Sequence, residues 1–191
     1  IKLLDVMGEG EEKAALLSDG IAWLAGREDA PEWSHVWEKL LDLMGEGEEK
    51  AALLSDGIAW LAGRENKHEW AHVWQKLLDV MGEGEEKAAL LALGNAWLAG
   101  REDAPEWNYV WTKLLDVMGE GEEKAALLAL GNAWLAGRED APEWSYVWER
   151  LWPAPLMRHA NADLRRVAEK WLLNRPAHPS AFAVRRALNR G

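Results

Sequence analysis

Lys39–Gln75 reads KLLDLMGEGEEKAALLSDGIAWLAGRENKHEWAHVWQ, and this 37-residue text runs four times in succession with few changes. Lys2, Lys39, Lys76 and Lys113 open the copies, and Arg150 opens a fifth that soon degenerates. Tandem self-similarity at such a period marks a helical repeat array, in which each unit buries its apolar face against its neighbours. Residues 1–150 therefore hold four near-identical units, the first helix cut short at Ile1, and residues 151–191 hold a degenerate capping repeat. Because Ile1 falls midway through a helix, the chain reads as part of a longer array with a genuine C-terminal end.

Each unit divides into two helices. Trp33, Val36, Trp37, Leu40, Leu41 and Met44 fall at i, i+3, i+4, i+7, i+8 and i+11, one apolar face, with Ser34, His35, Glu38 and Asp42 opposite. This is helix A. Glu28-Asp29-Ala30-Pro31 reads as its start, with proline near the first helical position and acids near the positive end. Gly45 is the expected stop, in the left-handed conformation that a C-terminal cap favours. Helix B is expected from about Glu48 to Ala62, with Gly63 ending it. It is apolar nearly all round, so it should be covered on several sides, and Gly57 lowers its intrinsic helicity by about 1 kcal/mol. Two helices with short joints make an antiparallel hairpin. The predicted fold class is all-α, an α-solenoid of stacked antiparallel hairpins with a 37-residue repeat.

The last copies decay. Ala162–Asn174 stands one period after the preceding helix B, and Pro179 opens a further helix A in which Trp144 becomes Ala181 and Trp148 becomes Arg185. Small and charged residues suit an end that no further repeat covers. Pro153 and Pro155 should end the preceding helix A early. Residues 151–191 carry eight Lys and Arg against two Asp and Glu, a net of +6, so the chain's −11 leaves −17 on residues 1–150.

That acidic array repels phosphates and anionic lipid surfaces, so neither a nucleic acid nor a membrane partner is expected of it. The tail alone offers cations for such a surface, through Arg158, Arg165, Arg166, Lys170, Arg175, Arg185, Arg186 and Arg190. The plainer reading is a solvated cap. No run approaches the roughly 18 apolar residues of a membrane span, and no signal peptide is visible. With no cysteine, thiolate chemistry and disulfides are excluded, which fits a reducing cytoplasm.

Stacked hairpins with an aromatic helix A resemble the tetratricopeptide-like superfamily of α-solenoids, and HEAT-like repeats have a compatible unit size. The tetratricopeptide pattern has a small residue four after its first Trp where this chain has Trp37, and its usual period is about 34. Through the EWxxVWxxLL and AWLAGRE phrases, all four copies also resemble the near-identical-repeat sensor regions of bacterial STAND NTPases, the NACHT and NB-ARC proteins of immunity and signalling. That resemblance implies a ligand-sensing role. No GxxxxGKS/T motif occurs, so the NTPase would lie outside this chain.

Enzymatic chemistry needs a singular constellation, and a repeat offers the opposite. His35 and His72 have Tyr109 and Tyr146 as equivalents, and no pair of histidines shares a metal spacing with a third ligand. The Glu-Gly-Glu-Glu runs lack the alternating oxygen ligands of a calcium loop and read as acidic first turns. The tryptophans fall on the buried stripe, which favours core packing over a base-stacking platform. No catalytic residue, metal or cofactor is expected.

The differences between copies are the remaining signal. Lys76–Thr112 and Lys113–Glu149 differ at two of 37 positions, Asn108 to Ser145 and Thr112 to Glu149. Across all four copies ten columns vary. Three lie on helix A (positions 34, 35 and 38), three on helix B (18, 19 and 21), three replace Asp29-Ala30-Pro31 by Asn66-Lys67-His68, and one exchanges Val6 for Leu43. The helix A columns should form one exposed stripe of partner contacts: Ser34, His35, Glu38, Ala71, His72, Gln75, Asn108, Tyr109, Thr112, Ser145, Tyr146 and Glu149. Exposed Asp42 and Lys39 keep their type beside varying neighbours, and Glu11 and Arg27 are constant without evident packing duty. The helix B columns suggest two repeat subtypes that differ in inter-repeat packing. The expected function is recognition of a protein or peptide ligand, with self-association left open. The competing reading is a structural or designed spacer whose copies set length and carry no ligand.

Overall fold

The computed structural model describes residues 11–154, 157 and 161–189. The truncated first helix A, Glu9, Pro155, Arg158, His159 and Arg190 lie outside the described residues. Ten helices run in order among those described: α1 (Glu11–Leu24), α2 (Trp33–Leu43), α3 (Glu48–Leu61), α4 (Trp70–Val80), α5 (Glu85–Leu98), α6 (Trp107–Val117), α7 (Glu122–Leu135), α8 (Trp144–Leu151), α9 (Asn161–Asn174) and α10 (Ala181–Leu188). The even-numbered helices are type A and the odd-numbered type B. The class is all-α, with neighbouring helices packed as hairpins in the manner of an α-solenoid.

The chain divides into two compact units, Ile1–Leu93 and Gly94–Gly191. In the first, α1 packs on α2, α2 on α3 and α3 on α4, and α2 also touches α4. In the second, α6 packs on α7, α7 on α8, α8 on α9 and α9 on α10, while α8 touches both α6 and α10. Each helix A thus meets a helix B in the same hairpin and, within its unit, the next helix A.

Tryptophan supplies the core. Trp33 and Trp37 stack with ring centroids 6.0 Å apart, and Trp60 stacks on the other face of Trp33 at 5.3 Å. Trp107 repeats this with Trp111 at 5.8 Å and Trp134 at 5.2 Å. The indole that ends each stack crosses the following helix B. Trp37 Nε1–H donates to the Leu53 carbonyl at 2.7 Å, a carbonyl that also accepts the Gly57 N–H in the helix ladder. The ring lies where a side chain at Gly57 would stand, since a Cβ there would come within 2.4 Å of the Trp37 ring. The same bond joins Trp74 to Leu90 and Trp111 to Leu127, and Gly131 lies under Trp111 as Gly57 lies under Trp37. The helix B glycine, unfavourable by propensity, is retained because an aromatic ring occupies its Cβ site.

Helix B ends as expected. Gly63 takes φ +74° after the capping residue Ala62, its N–H donates to Glu65, and Arg64 donates to the Trp60 carbonyl at 3.3 Å. Helix A does not end as expected. Met44 leaves α2 in extended conformation (φ −83°, ψ 137°), its N–H donating to the Leu40 carbonyl, and Gly45 is not among the glycines with positive φ. Met44 is buried, so the chain turns outward before the glycine is reached. The start of helix A is also displaced. Arg27–Ala30 and Ala30–Trp33 form successive turns, and the helix begins at Trp33 with Pro31 in the second turn. Where His68 replaces that proline, the turn closing on Trp70 persists at 3.1 Å.

Helix B is not covered all round. Leu53, Gly57, Trp60 and Leu61 of α3 are buried, whereas Ala51, Ala52 and Ala59 are exposed. Helix A covers one side only, and alanine leaves little apolar area on the other. In the terminal repeat Pro153 follows a shortened α8, as its position predicts, and Ala181 is buried while Arg185 is exposed. Leu173 and Phe182 are exposed as well, so the cap is less polar than its arginines suggest.

Candidate protein-interaction surface

Position 35 and its equivalents stand clear of the core on helix A. His35 and His72 are exposed, and Tyr109 and Tyr146 keep 60% and 64% of their surface accessible. In the first unit a cleft of about 280 Å³ between α2 and α4 is lined by Ser34, His35, Glu38, His72 and Lys76 over Trp37 and Val73. The structure therefore brings four of the sequence-chosen residues together there. Gln75 is half-buried, and the His72 ring meets His68 edge-on at 5.8 Å. In the second unit α6 carries Asn108, Tyr109 and Thr112, and α8 carries Ser145, Tyr146 and Glu149. Asn108, Thr112 and Glu149 are half-buried. Burial raises the Glu149 carboxyl above its ordinary value, because the charged form is poorly solvated.

Two expected contact residues are not on this surface. Ala71 is 3% exposed and Ser145 1%. Position 34 and its equivalents lie seven residues before the Leu41 column, on the same flank of the helix, and Ala71 is buried like Leu78 two turns later. The exposed stripe is accordingly narrower than the pattern of variation, and centres on position 35 and its equivalents, with Glu38 beside it in the first unit. The Ser145 hydroxyl and Asn108 Oδ1 are buried without a hydrogen-bond partner, an arrangement that costs about 1–3 kcal/mol per group.

Several constant polar residues make contacts that the sequence concealed. Lys76, the equivalent of Lys39, meets Asp42 of the preceding repeat at 2.5 Å, and Arg150 grips Asp116 through both carboxylate oxygens at 3.0 and 3.2 Å. Arg64 reaches Asp29 at 3.2 Å, Arg138 reaches Asp103 at 2.9 Å, and Arg175 pairs with Asp140. Arg27, expected to be idle, bonds the Trp23 carbonyl at 2.9 Å and lies over the Trp23 ring. Several constant polar residues therefore join one repeat to the next or tie off helix B.

Among the described residues, four cations of the basic tail are engaged by ion pairs or hydrogen bonds, Arg175 with Asp140 as above. Arg165 donates to the Leu188 carbonyl and lies over Trp152, Arg166 pairs with Asp163, and Lys170 pairs with Glu139 at 3.2 Å. Glu139 is held below the usual carboxylate range, first by an N–H of its own backbone and then by Lys170. Arg185 and Arg186 remain exposed. Among the described residues no cluster of three or more His, Asp or Glu suits a metal ion, and no helix is long and apolar enough to cross a membrane. Compared with protein-family models, with curated proteins and with solved structures, the chain gives no match.

Proposed function

We propose that the chain is a peptide- or protein-binding scaffold that presents the exposed stripe of helix A to its ligand. One observation carries this reading. Among otherwise uniform copies, His35, Glu38, His72, Tyr109 and Tyr146 occupy the varying helix A positions whose side chains stay accessible, and two of them are large aromatics. Tyrosine combines large apolar area with low ordering entropy, which suits it to contact surfaces. The tetratricopeptide-like assignment, a cytoplasmic location and a place as the sensor array of a larger bacterial STAND-type NTPase belong to the same proposal. In that setting ligand binding would shift the parent between resting and active states through differential affinity for the two.

The test is an affinity capture from native lysate with two baits, the natural array and a version with His35, Glu38, His72, Gln75, Tyr109, Thr112, Tyr146 and Glu149 all changed to alanine. A partner held by the first and lost by the second supports recognition and locates it. Equal retention on both baits removes the stripe from consideration. A spacer is the second reading, favoured by the inter-repeat ion pairs, which give constant Asp42 and Lys76 and their equivalents a role without any ligand.

A further inference from the structure

On the other side of the first unit, α1 and α3 leave an open groove. It consists of two adjoining cavities of about 350 and 300 Å³, with Ile21 and Asp56 bordering both. Leu17, Ile21 and Leu53 form the apolar lining at one end, and Leu24, Trp33 and Trp60 form it at the other. Glu49, Asp56 and Glu28 stand along the edges. Among the described residues Arg64 is the one cation in the lining, and it is already held by Asp29 and the Trp60 carbonyl. The groove is thus apolar below and anionic at its edges.

The columns that vary on helix B fall here. Ser18, Ile21 and Asp56 face the groove, and in the later copies the serine becomes Ala92, the aspartate Leu93 and the isoleucine Asn95. Ser18, Asp56 and Ala92 are exposed and Ile21 is half-buried, so these changes alter an accessible surface more than a packed joint. They remove the edge charge and place a polar residue where the first two copies have an apolar one.

We propose that the groove between α1 and α3 binds an extended basic peptide segment of a partner protein. Its apolar side chains would seat on Leu17 and Ile21, which stay half-accessible beside the exposed Ala14 and Ala52, and its Lys or Arg side chains would meet Glu49, Asp56 and Glu28. A helix of 14 residues is about 21 Å long, which matches roughly six residues of extended chain. Alternation of side chains along such a strand sends one set into the lining and the other toward the edges. Charge complementarity selects the class of partner, since an acidic or neutral segment finds no counterpart along these edges.

The experiment measures fluorescence anisotropy of three labelled octapeptides, alternating Leu-Lys, Leu-Glu and Ser-Lys, against the whole chain at low and high salt. The Leu-Lys peptide should bind, and the other two should bind roughly tenfold more weakly or worse. Glu49→Lys with Asp56→Lys, or Ala52→Phe to fill the groove, should reduce Leu-Lys binding by roughly tenfold or more. These sites are exposed, and unchanged circular dichroism would verify folding. Tyr109→Ala with Tyr146→Ala should leave it unaltered. Undiminished binding to both groove variants, equal binding of Ser-Lys, or no binding of Leu-Lys overturns the proposal. A concentration-dependent increase in mass that the groove variants abolish, without peptide binding, would assign the groove to a second copy instead and equally overturn it.

Discussion

The joint between α6 and α7 and the joint between α8 and α9 use the same device with one difference. In the first, Trp111 donates to the Leu127 carbonyl at 2.7 Å and lies across Gly131. In the second, Trp148 donates to the Leu164 carbonyl at 2.9 Å, and the residue in the glycine column is the fully buried Ala168. Trp148 is stacked on its other side by Trp152 at 5.3 Å, a residue that has leucine as its counterpart in the preceding repeats. One methyl group is therefore admissible when the ring and its neighbours are arranged to receive it. The inner copies are packed for glycine and the terminal one for alanine.

The strongest challenge to this contrast is Trp111→Ala, which removes a fully buried indole and its bond to helix B. It should destabilise the chain by about 3–5 kcal/mol, read from urea denaturation followed by circular dichroism. Next comes the reciprocal pair. Gly131→Ala should lose about 1–3 kcal/mol by overpacking although alanine is the better helix former, while Ala168→Gly should lose about 1 kcal/mol through propensity. A gain in stability for Gly131→Ala would show that the indole contact is not what retains the glycine.

Weaker effects separate the repeats by their ion pairs. Asp116→Asn breaks the bidentate contact with Arg150 and should cost at most about 1 kcal/mol at low salt, with the difference fading as salt is raised. A loss that persists in high salt would mean that Asp116 acts through packing. The smallest effects are set by pH in the second unit. The Glu149 carboxyl has a raised folded pKa, so the folded state is penalised as pH rises from the ordinary glutamate range through that value. Glu149→Thr, the residue found at position 112, should give a slight gain at neutral pH, limited by solvent screening, and none in acid. Glu139 has the opposite sign. Its lowered pKa contributes stability above the ordinary carboxylate range, and that contribution is lost as pH falls through the folded value. Glu139→Gln should therefore weaken the fold at neutral pH and be silent in acid. Parallel pH profiles for the two variants would contradict both assignments.

Periodicity carried the architecture. The repeat of 37, the helix A stripe and the stop of helix B at Gly63 were all legible, because each is a local pattern in the sequence. The candidate surface was legible in part. His35, Glu38, His72, Tyr109 and Tyr146 are exposed as expected, whereas Ala71 and Ser145 are not, although the seven-residue spacing to the Leu41 column marks that flank as packed. The stop at Gly45 failed because burial of Met44 bends the chain one residue sooner.

The sequence by itself determined that the chain is an all-α array with a tryptophan core, since heptad-like spacing and identity at a fixed period depend only on order along the chain. The tertiary structure alone decided what several of the constant residues meet. Asp42 and Lys76 are 34 residues apart, Trp37 and Gly57 are 20 apart, and each pair meets only when one helix is laid against another. A contact between repeats leaves no mark in any single copy, so residues that look idle in the sequence carry contacts in the fold.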